Sequence, residues 1–432
     1  MKIIIKLLKK VYRRITRSIA FYPVLISFLF LIIGLFVLYI ERTTFLIELK
    51  HQIPDLVIQD KDAAHSLLSV LIGGVISLTV FSFTMVMVVL NQASSNFSPR
   101  LLPGLISNKK HQVILGVYTG TIIYSLFLLT VLGTYTAQVS ELAISIILSA
   151  ISGMSCIALF VYFIHSISSD IQIHNIIRRI FNVAQTKIDQ ELKKQNSSVE
   201  ALEVEKENKF RIRTNKTGYY KSFDINLLSA ELKSKLKVIE IIPYPECYIW
   251  QGDTIAFTDV DLSYDEKEEL LFSFHIASER QDGEGYLEEL IKLMEIAVKA
   301  LSPGINDPGT AKNAIVKLGQ LTSILLTLKP KMAHTIEGKL SVIRQNVTSD
   351  VLINTVFQPI RNYGKNDFTA ITELLNCYRY LLNNENISAS NKNYIRLEVK
   401  ALKEDVSNNI SNHIDKYYLM SSIEDVQSIK NY

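Results

Sequence analysis

The sequence predicts a membrane α-helical protein with four transmembrane helices, followed by a cytosolic α+β region in which a small β-rich domain precedes a helical one. Three observations carry this. The 432 residues are 48% hydrophobic and only 20% charged, with a mean hydropathy of +0.20, and the apolar residues crowd into 1–165. Within that region, four uncharged stretches are each long enough to cross about 30 Å of hydrocarbon. Beyond it, the apolar periodicity first shortens towards that of strands and then lengthens to that of helices.

The segment 1–19 carries seven basic residues (Lys2, Lys6, Lys9, Lys10, Arg13, Arg14, Arg17) and no acid. Isoleucines and leucines interleave with these lysines, so the segment is read either as a plain positive-inside anchor or as a helix lying on the anionic inner leaflet. The apolar stretch that follows, Ala20–Ile40, has twenty-one uncharged residues and no small-residue cleavage site after it. It is expected to be a retained span, not a cleaved leader.

The four-helix domain is placed at 20–165, with spans at 20–40, 66–90, 113–133 and 142–164. Without water each span must be helical to satisfy its own backbone. Loop charge sets direction. The first loop has five acids against three Lys/Arg, the second has Arg100, Lys109 and Lys110 with no acid, the third has only Glu141, and Arg178 and Arg179 follow the fourth span. This pattern puts both termini in the cytosol, in the bacterial cytoplasmic (inner) membrane.

On the second span Ser66, Ser69, Gly73, Ser77, Thr84 and Asn91 fall within an arc of about 80° at 100° per residue. Leu68, Leu71, Ile72, Val75, Leu78 and Val86 form the opposite face. The small, polar stripe reads in two ways: a water-filled path surrounded by several copies of the chain, or close helix–helix packing through small residues. No span contains Asp, Glu, Lys, Arg or His. An ion-coupled pump usually needs such a residue, so a passive pore or a signalling assembly is favoured over active transport.

A helical linker is expected at 166–209. The β-rich domain at 210–277 is read from Phe210–Arg213, a short helix over Asp224–Leu236 with Asp224 as N-cap, strands at Val238–Ile242 and Leu271–Ile276, and a hairpin of Tyr248–Trp250 with Thr254–Phe257. The helical domain, 278–420, is read from helices at Gly285–Leu301, Thr310–Leu328, Ala333–Asn346, Asp367–Asn383 and Asn391–Leu419. The tail 421–432 is expected to be frayed.

Between the first two of those helices runs Ala300–Ala311. Pro303 and Gly304 end one helix, Asn306 or Asp307 caps the next, and Pro308 suits a first turn. Here the sequence resembles the uncharacterised bacterial predicted membrane protein family known as domain of unknown function 2254. The resemblance rests on the Leu-Ser-Pro-Gly-Ile-Asn-Asp-Pro run of that corner, on Gly73–Pro103 with its Phe97-Ser98-Pro99-Arg100-Leu101-Leu102, and on Phe274–Asp282 with Glu279-Arg280-Gln281-Asp282. Family members tend to carry Arg-Thr before the Gln-Asp pair and a bulky residue where Gly309 stands; this chain departs at both points. The resemblance implies a four-span protein of the bacterial cytoplasmic membrane and supplies no activity.

Arg280, Asp282, Asn306 and Asp307 are expected to meet if the strand end and the helix corner fold together. They would form either a buried Arg–Asp pair or a site for a small ligand or divalent cation, with Asp282, Glu284 and Asp307 as oxygen donors. The eight histidines are scattered, and the three cysteines have neither disulfide nor metal-ligand spacing. No nucleophile elbow, phosphate loop, metalloprotease or dinucleotide motif is present, so neither an enzyme nor a cofactor is expected. The net charge of +4 is too small to argue for nucleic acid. The expected partners are the lipid bilayer and further copies of the chain. The expected function is a homo-oligomeric passive pore regulated by its cytosolic domain, or alternatively a membrane-anchored signalling or scaffolding protein.

Overall fold

The computed structural model describes residues 18, 20–41, 43, 58, 60–96, 109–133, 139–196, 209–280, 285–336 and 340–429. The basic segment 1–19 falls almost wholly outside these residues, as do Phe97–Leu102, Asp282 and Glu284. The chain divides into two compact units, the second made of the chain from Ile173 onward together with a short segment that starts at Asn96.

The first unit holds α1 (Phe21–Glu41), α2 (Lys61–Asn96), α3 (Lys109–Leu132) and α4 (Ala143–Asp170), each long and apolar enough to cross a membrane. Helix α3 is the most enclosed of the four. It approaches α1 closely because Gly116 and Gly120 present no side chain to it; a Cβ at either would lie 2.8 Å from Ile26 or Phe30. Short polar pairs tie the helices together: Ser27 to Thr119 at 2.8 Å and the buried pair Ser125 to Ser149 at 2.7 Å. At the end of α1 the Glu41 carboxylate is fully enclosed. It accepts from the backbone N–H groups of Ile144 (2.6 Å) and Ser145 (3.2 Å), capping α4. Gly120→Leu is expected to force α1 and α3 apart and to cost about 1–3 kcal/mol by overpacking, read as a fall in the melting temperature of the detergent-solubilised chain.

The second unit begins with α5 (Ile173–Asn196), whose Ile176, Ile177, Ile180, Ala184 and Ile188 are buried. The stretch read as a linker thus contributes an apolar helix face to this unit. The strands β1 (Phe210–Arg213), β2 (Gly218–Phe223), β3 (Val238–Ile241), β4 (Tyr248–Ile249), β5 (Thr254–Thr258) and β6 (Phe274–Ala277) follow. Helix α6 (Ala230–Lys235) lies between β2 and β3, and α7 (Tyr264–Phe272) between β5 and β6. Then come α8 (Leu287–Ala300), α9 (Pro308–Leu325), β7 (Lys331–Ile336) and β8 (Leu340–Gln345). The helical stretch α10 comprises Ser349–Leu352, a π-helical turn at Ile353–Phe357, and Gln358–Gly364. The chain ends with α11 (Phe368–Asn383), α12 (Ala389–Asn409) and α13 (His413–Gln427).

Two sheets result. One has the order β1-β5-β3-β8-β7, antiparallel except for the parallel β3–β8 pair; the other is β4-β2-β6. Their shared core joins Ile212, Tyr220, Phe223, Ile239, Ile255 and Phe274 with Leu340 and Val342. Helices α8 and α9 pack on each other, on α5 and towards α11.

Several of these expectations need correction. The segment expected as a helix at Ala333–Asn346 is a β-hairpin, β7 with β8. The first four residues of β8 are all buried, so its sequence lacks the alternation that marks a half-exposed strand. Tyr248–Trp250 and Thr254–Phe257 do not pair with each other, because β4 joins β2 while β5 lies between β1 and β3. Leu271–Ile276 is not one strand: a helix with a Ser263–Glu266 capping box runs to Phe272 before β6 starts. Asn391–Leu419 is two helices, the second capped by Asn412, and the tail expected to fray is helical to Gln427 because Leu419, Ile423 and Val426 are buried on one face. Asp224 does cap, but it caps a short 3-10 turn, Ile225–Leu227; Ser229 caps α6.

Candidate functional site

The stripe on α2 turns out of its own bundle. Leu68, Ile72 and Val75 are buried between the helices, with Leu71, Leu78 and Val86 partly so. Ser66, Ser69, Gly73, Ser77, Thr84 and Asn91 are all exposed. At Gly73 and Gly74 a Cβ would meet nothing within 4 Å, so the backbone lies open on the outer surface there. The Ser77 hydroxyl donates to the Gly73 carbonyl at 2.9 Å, and Thr84 donates to Val80 at 2.9 Å. Each hydroxyl is therefore satisfied by its own helix while its lone pairs remain presented outward.

At one end of the same bundle, Val86, Val89, Leu90, His111, Ile167 and Asp170 line a shallow niche with room for about one water. His111 Nε2 stands 3.6 Å from the Asp170 carboxylate and 3.4 Å from Ser166 Oγ. The sequence reading missed this pair, since its members lie at the far ends of two different helices. It also missed Glu41, a buried carboxylate one residue past the first span.

In the second unit the expected constellation does not assemble as a single site. Arg280 stacks on Tyr219, its guanidinium carbon 5.0 Å from the ring centroid, and lies before the N-terminus of α8. Pro303, Gly304, Asn306 and Asp307 follow its C-terminus. The 14 residues of α8 span about 21 Å, which holds the two groups apart. Asp282 and Glu284 lie outside the described residues.

The corner itself is an exposed capping structure. Pro303, Gly304, Asn306 and Asp307 are all exposed. The Ser302 carbonyl accepts from Ile305 (3.0 Å) and Asn306 (2.9 Å), and Asn306 takes a left-handed φ of 48°. Asp307 caps α9 by accepting from Thr310 at 3.0 Å, with Pro308 in the first turn. The hydrogen bonds from the Thr310 hydroxyl and backbone hold the Asp307 carboxyl below its ordinary range.

A second buried acid was unread in the sequence. Glu246 is 1% exposed and strained at φ 71°. One carboxylate oxygen accepts from Glu288 N–H at 2.7 Å, capping α8, and the other lacks a hydrogen-bond partner. It rests against Gly285, whose carbonyl accepts from Lys187 at 2.8 Å. Burial, then the neighbouring Glu288, push the Glu246 carboxyl up, against Lys221 and Lys187. A carboxyl raised on folding favours the protonated native state. Its contribution is complete below the unfolded value, near about 4.3, and is lost as pH rises through the folded one. Glu246→Gln is therefore expected to remove a loss of stability that sets in as pH rises above about 4, measured by melting both proteins across a pH series.

Comparison with known proteins fits this architecture. The family model described as "Predicted membrane protein (DUF2254)" matches residues 16–380. Uncharacterised proteins of Mycobacterium tuberculosis and Mycobacterium bovis are 25% identical over 320 residues, which is 70% of this chain and 59% of theirs. The chain thus spans about three-fifths of the length of these curated relatives. No solved structure matches. With four apolar helices leading a mixed, mostly helical unit, and with the family model covering most of its length, the chain belongs to the predicted membrane protein family DUF2254.

Proposed function

We propose that the chain assembles in the bacterial cytoplasmic membrane as a homo-oligomeric passive pore, lined by α2 and regulated by the C-terminal region, with both termini in the cytosol. The observation that carries this reading is the outward stripe of α2. A face of Ser66, Ser69, Gly73, Ser77, Thr84 and Asn91 is poorly suited to hydrocarbon, and copies arranged about an axis would give it water. The stripe has no charge, so the pore discriminates weakly by charge. Reconstitution in planar bilayers is expected to give unitary currents, and silence under every condition tested would count against conduction. The loop charges support the orientation; a C-terminal reporter active in the periplasm would contradict it.

A second reading has its own support. The Ser77 and Thr84 hydroxyls are internally satisfied, which suits close packing of two α2 helices through Ser69, Gly73 and Ser77. The spans would then anchor and oligomerise a signalling or scaffolding region. Disulfide trapping of Ser77→Cys without any current would favour that alternative.

A further inference from the structure

The outer face of the β4-β2-β6 sheet carries a row of aromatic rings that ends at two cations. Tyr219 on β2 is the register partner of Tyr248 on β4, with ring centroids 4.9 Å apart. Tyr248 in turn meets Trp250 at 4.9 Å. Trp250 is 64% exposed and Tyr248 42%, so the outer end of the row lies open to solvent. On the other side Tyr219 faces the small Ala277 of β6. There the Arg280 guanidinium sits 5.0 Å and the Lys221 ammonium 5.7 Å from the same ring centroid.

The cations are unevenly served. Lys221 donates to the Arg280 carbonyl, while Arg280 Nε is buried with no hydrogen-bond partner among the described residues. Leaving a buried donor unmade is costly, and more so when it is charged. A ring face offers charge attraction but no acceptor for that N–H. Lys221 is already opposed by the buried Glu246 carboxylate, so the donor left for an anion is the Arg280 Nε, through a charge-assisted hydrogen bond. An inorganic anion needs no aromatic row, whereas a nucleobase gains from each ring it stacks on. Arg280 lies at most about 10 Å from the Tyr248 ring, two steps along the row. That suits a ligand with a flat ring at one end and a phosphate chain at the other.

We propose that this sheet face binds a nucleoside di- or triphosphate, its base against Tyr248 and Trp250 and its phosphates at Arg280 and Lys221. The assignment stands whether or not the assembly conducts, because binding is read without current. Trp250 is the single tryptophan of the chain, so tryptophan emission from the full-length protein in detergent, excited selectively over the tyrosines, reports on this face. ATP, ADP, GTP and GDP are titrated beside adenosine, inorganic tripolyphosphate and phosphatidylglycerol vesicles. At least one nucleotide is expected to change the emission saturably below about 1 mM, and Arg280→Ala to weaken it about tenfold or more. Adenosine and tripolyphosphate should each bind at least as poorly as that variant binds the nucleotide. Should Arg280→Ala fail to fold, Lys221→Ala carries the same expectation. No saturable change with any of the four nucleotides overturns the proposal. So does undiminished binding by a folded Arg280→Ala, tripolyphosphate binding as tightly as the nucleotide, or a response to the anionic vesicles in place of nucleotides.

Discussion

Ser77→Leu is expected to abolish unitary currents while leaving the protein folded. The serine side chain is exposed and bonds only to the Gly73 carbonyl of its own helix. The bundle therefore loses little, and the melting temperature should correspond to a change within about 0.5 kcal/mol. In an assembly lined by α2, the same leucine from every copy would ring the axis. Narrow hydrophobic constrictions shed water and close to ions. Gly73→Leu, one turn away, should act the same way, since open space surrounds that position. Leu68→Ser is the opposing control: Leu68 is wholly buried, so that variant should destabilise the bundle without acting through the pore axis. Wild-type conductance in Ser77→Leu would remove α2 from the pathway.

Arg361→Ala should produce the largest loss of stability in the second unit. Arg361 on α10 binds two carboxylates of α12, Glu398 at 2.6 Å and Asp405. The Arg361 and Glu398 side chains are largely buried. Removing the guanidinium leaves both acids without their cation in a poorly hydrated place, at a cost of about 3 kcal/mol or more. For a unit of this size that corresponds to a fall of roughly 6–12 °C in melting temperature. Arg361→Lys keeps the charge but not the fork that reaches both acids, and should fall between the two. A melting temperature unchanged in Arg361→Ala would mean that the cluster is solvated and contributes nothing.

The membrane half was the legible half. An uncharged stretch of twenty residues has few alternatives to a spanning helix, and each of the four appears where its composition places it. The stripe on α2 was equally readable as a pattern, but not which way it faced. Orientation depends on what Leu68, Ile72 and Val75 pack against, which is a tertiary fact. The second unit was read well where a cap and a period agree, as at Asp307–Pro308 and Asp367–Phe368. It was misread where a strand is buried on both faces, as in β8, or where neighbouring strands enter different sheets, as β4 and β5 do. The burial of Leu419, Ile423 and Val426 behind the Asn412 cap shows that the last helix had a usable signal, one masked by its polar neighbours. Glu246 gave none, and Arg280 was read with the helix corner and not with Tyr219; that an oxygen of one and a nitrogen of the other lack a partner among the described residues depends on burial, a tertiary fact.

The central claim is that the small, polar face of α2, turned out of its own bundle, meets water inside an assembly. Its most direct test is Ser77→Cys in membranes, probed with a charged, water-soluble thiol reagent against the unsubstituted chain, in which Cys156 and Cys377 are buried and the half-buried Cys247 sets the background. Rapid modification at position 77 that blocks current is the predicted result. A residue 77 thiol reached only by a lipid-soluble reagent, with current unaffected, would contradict it.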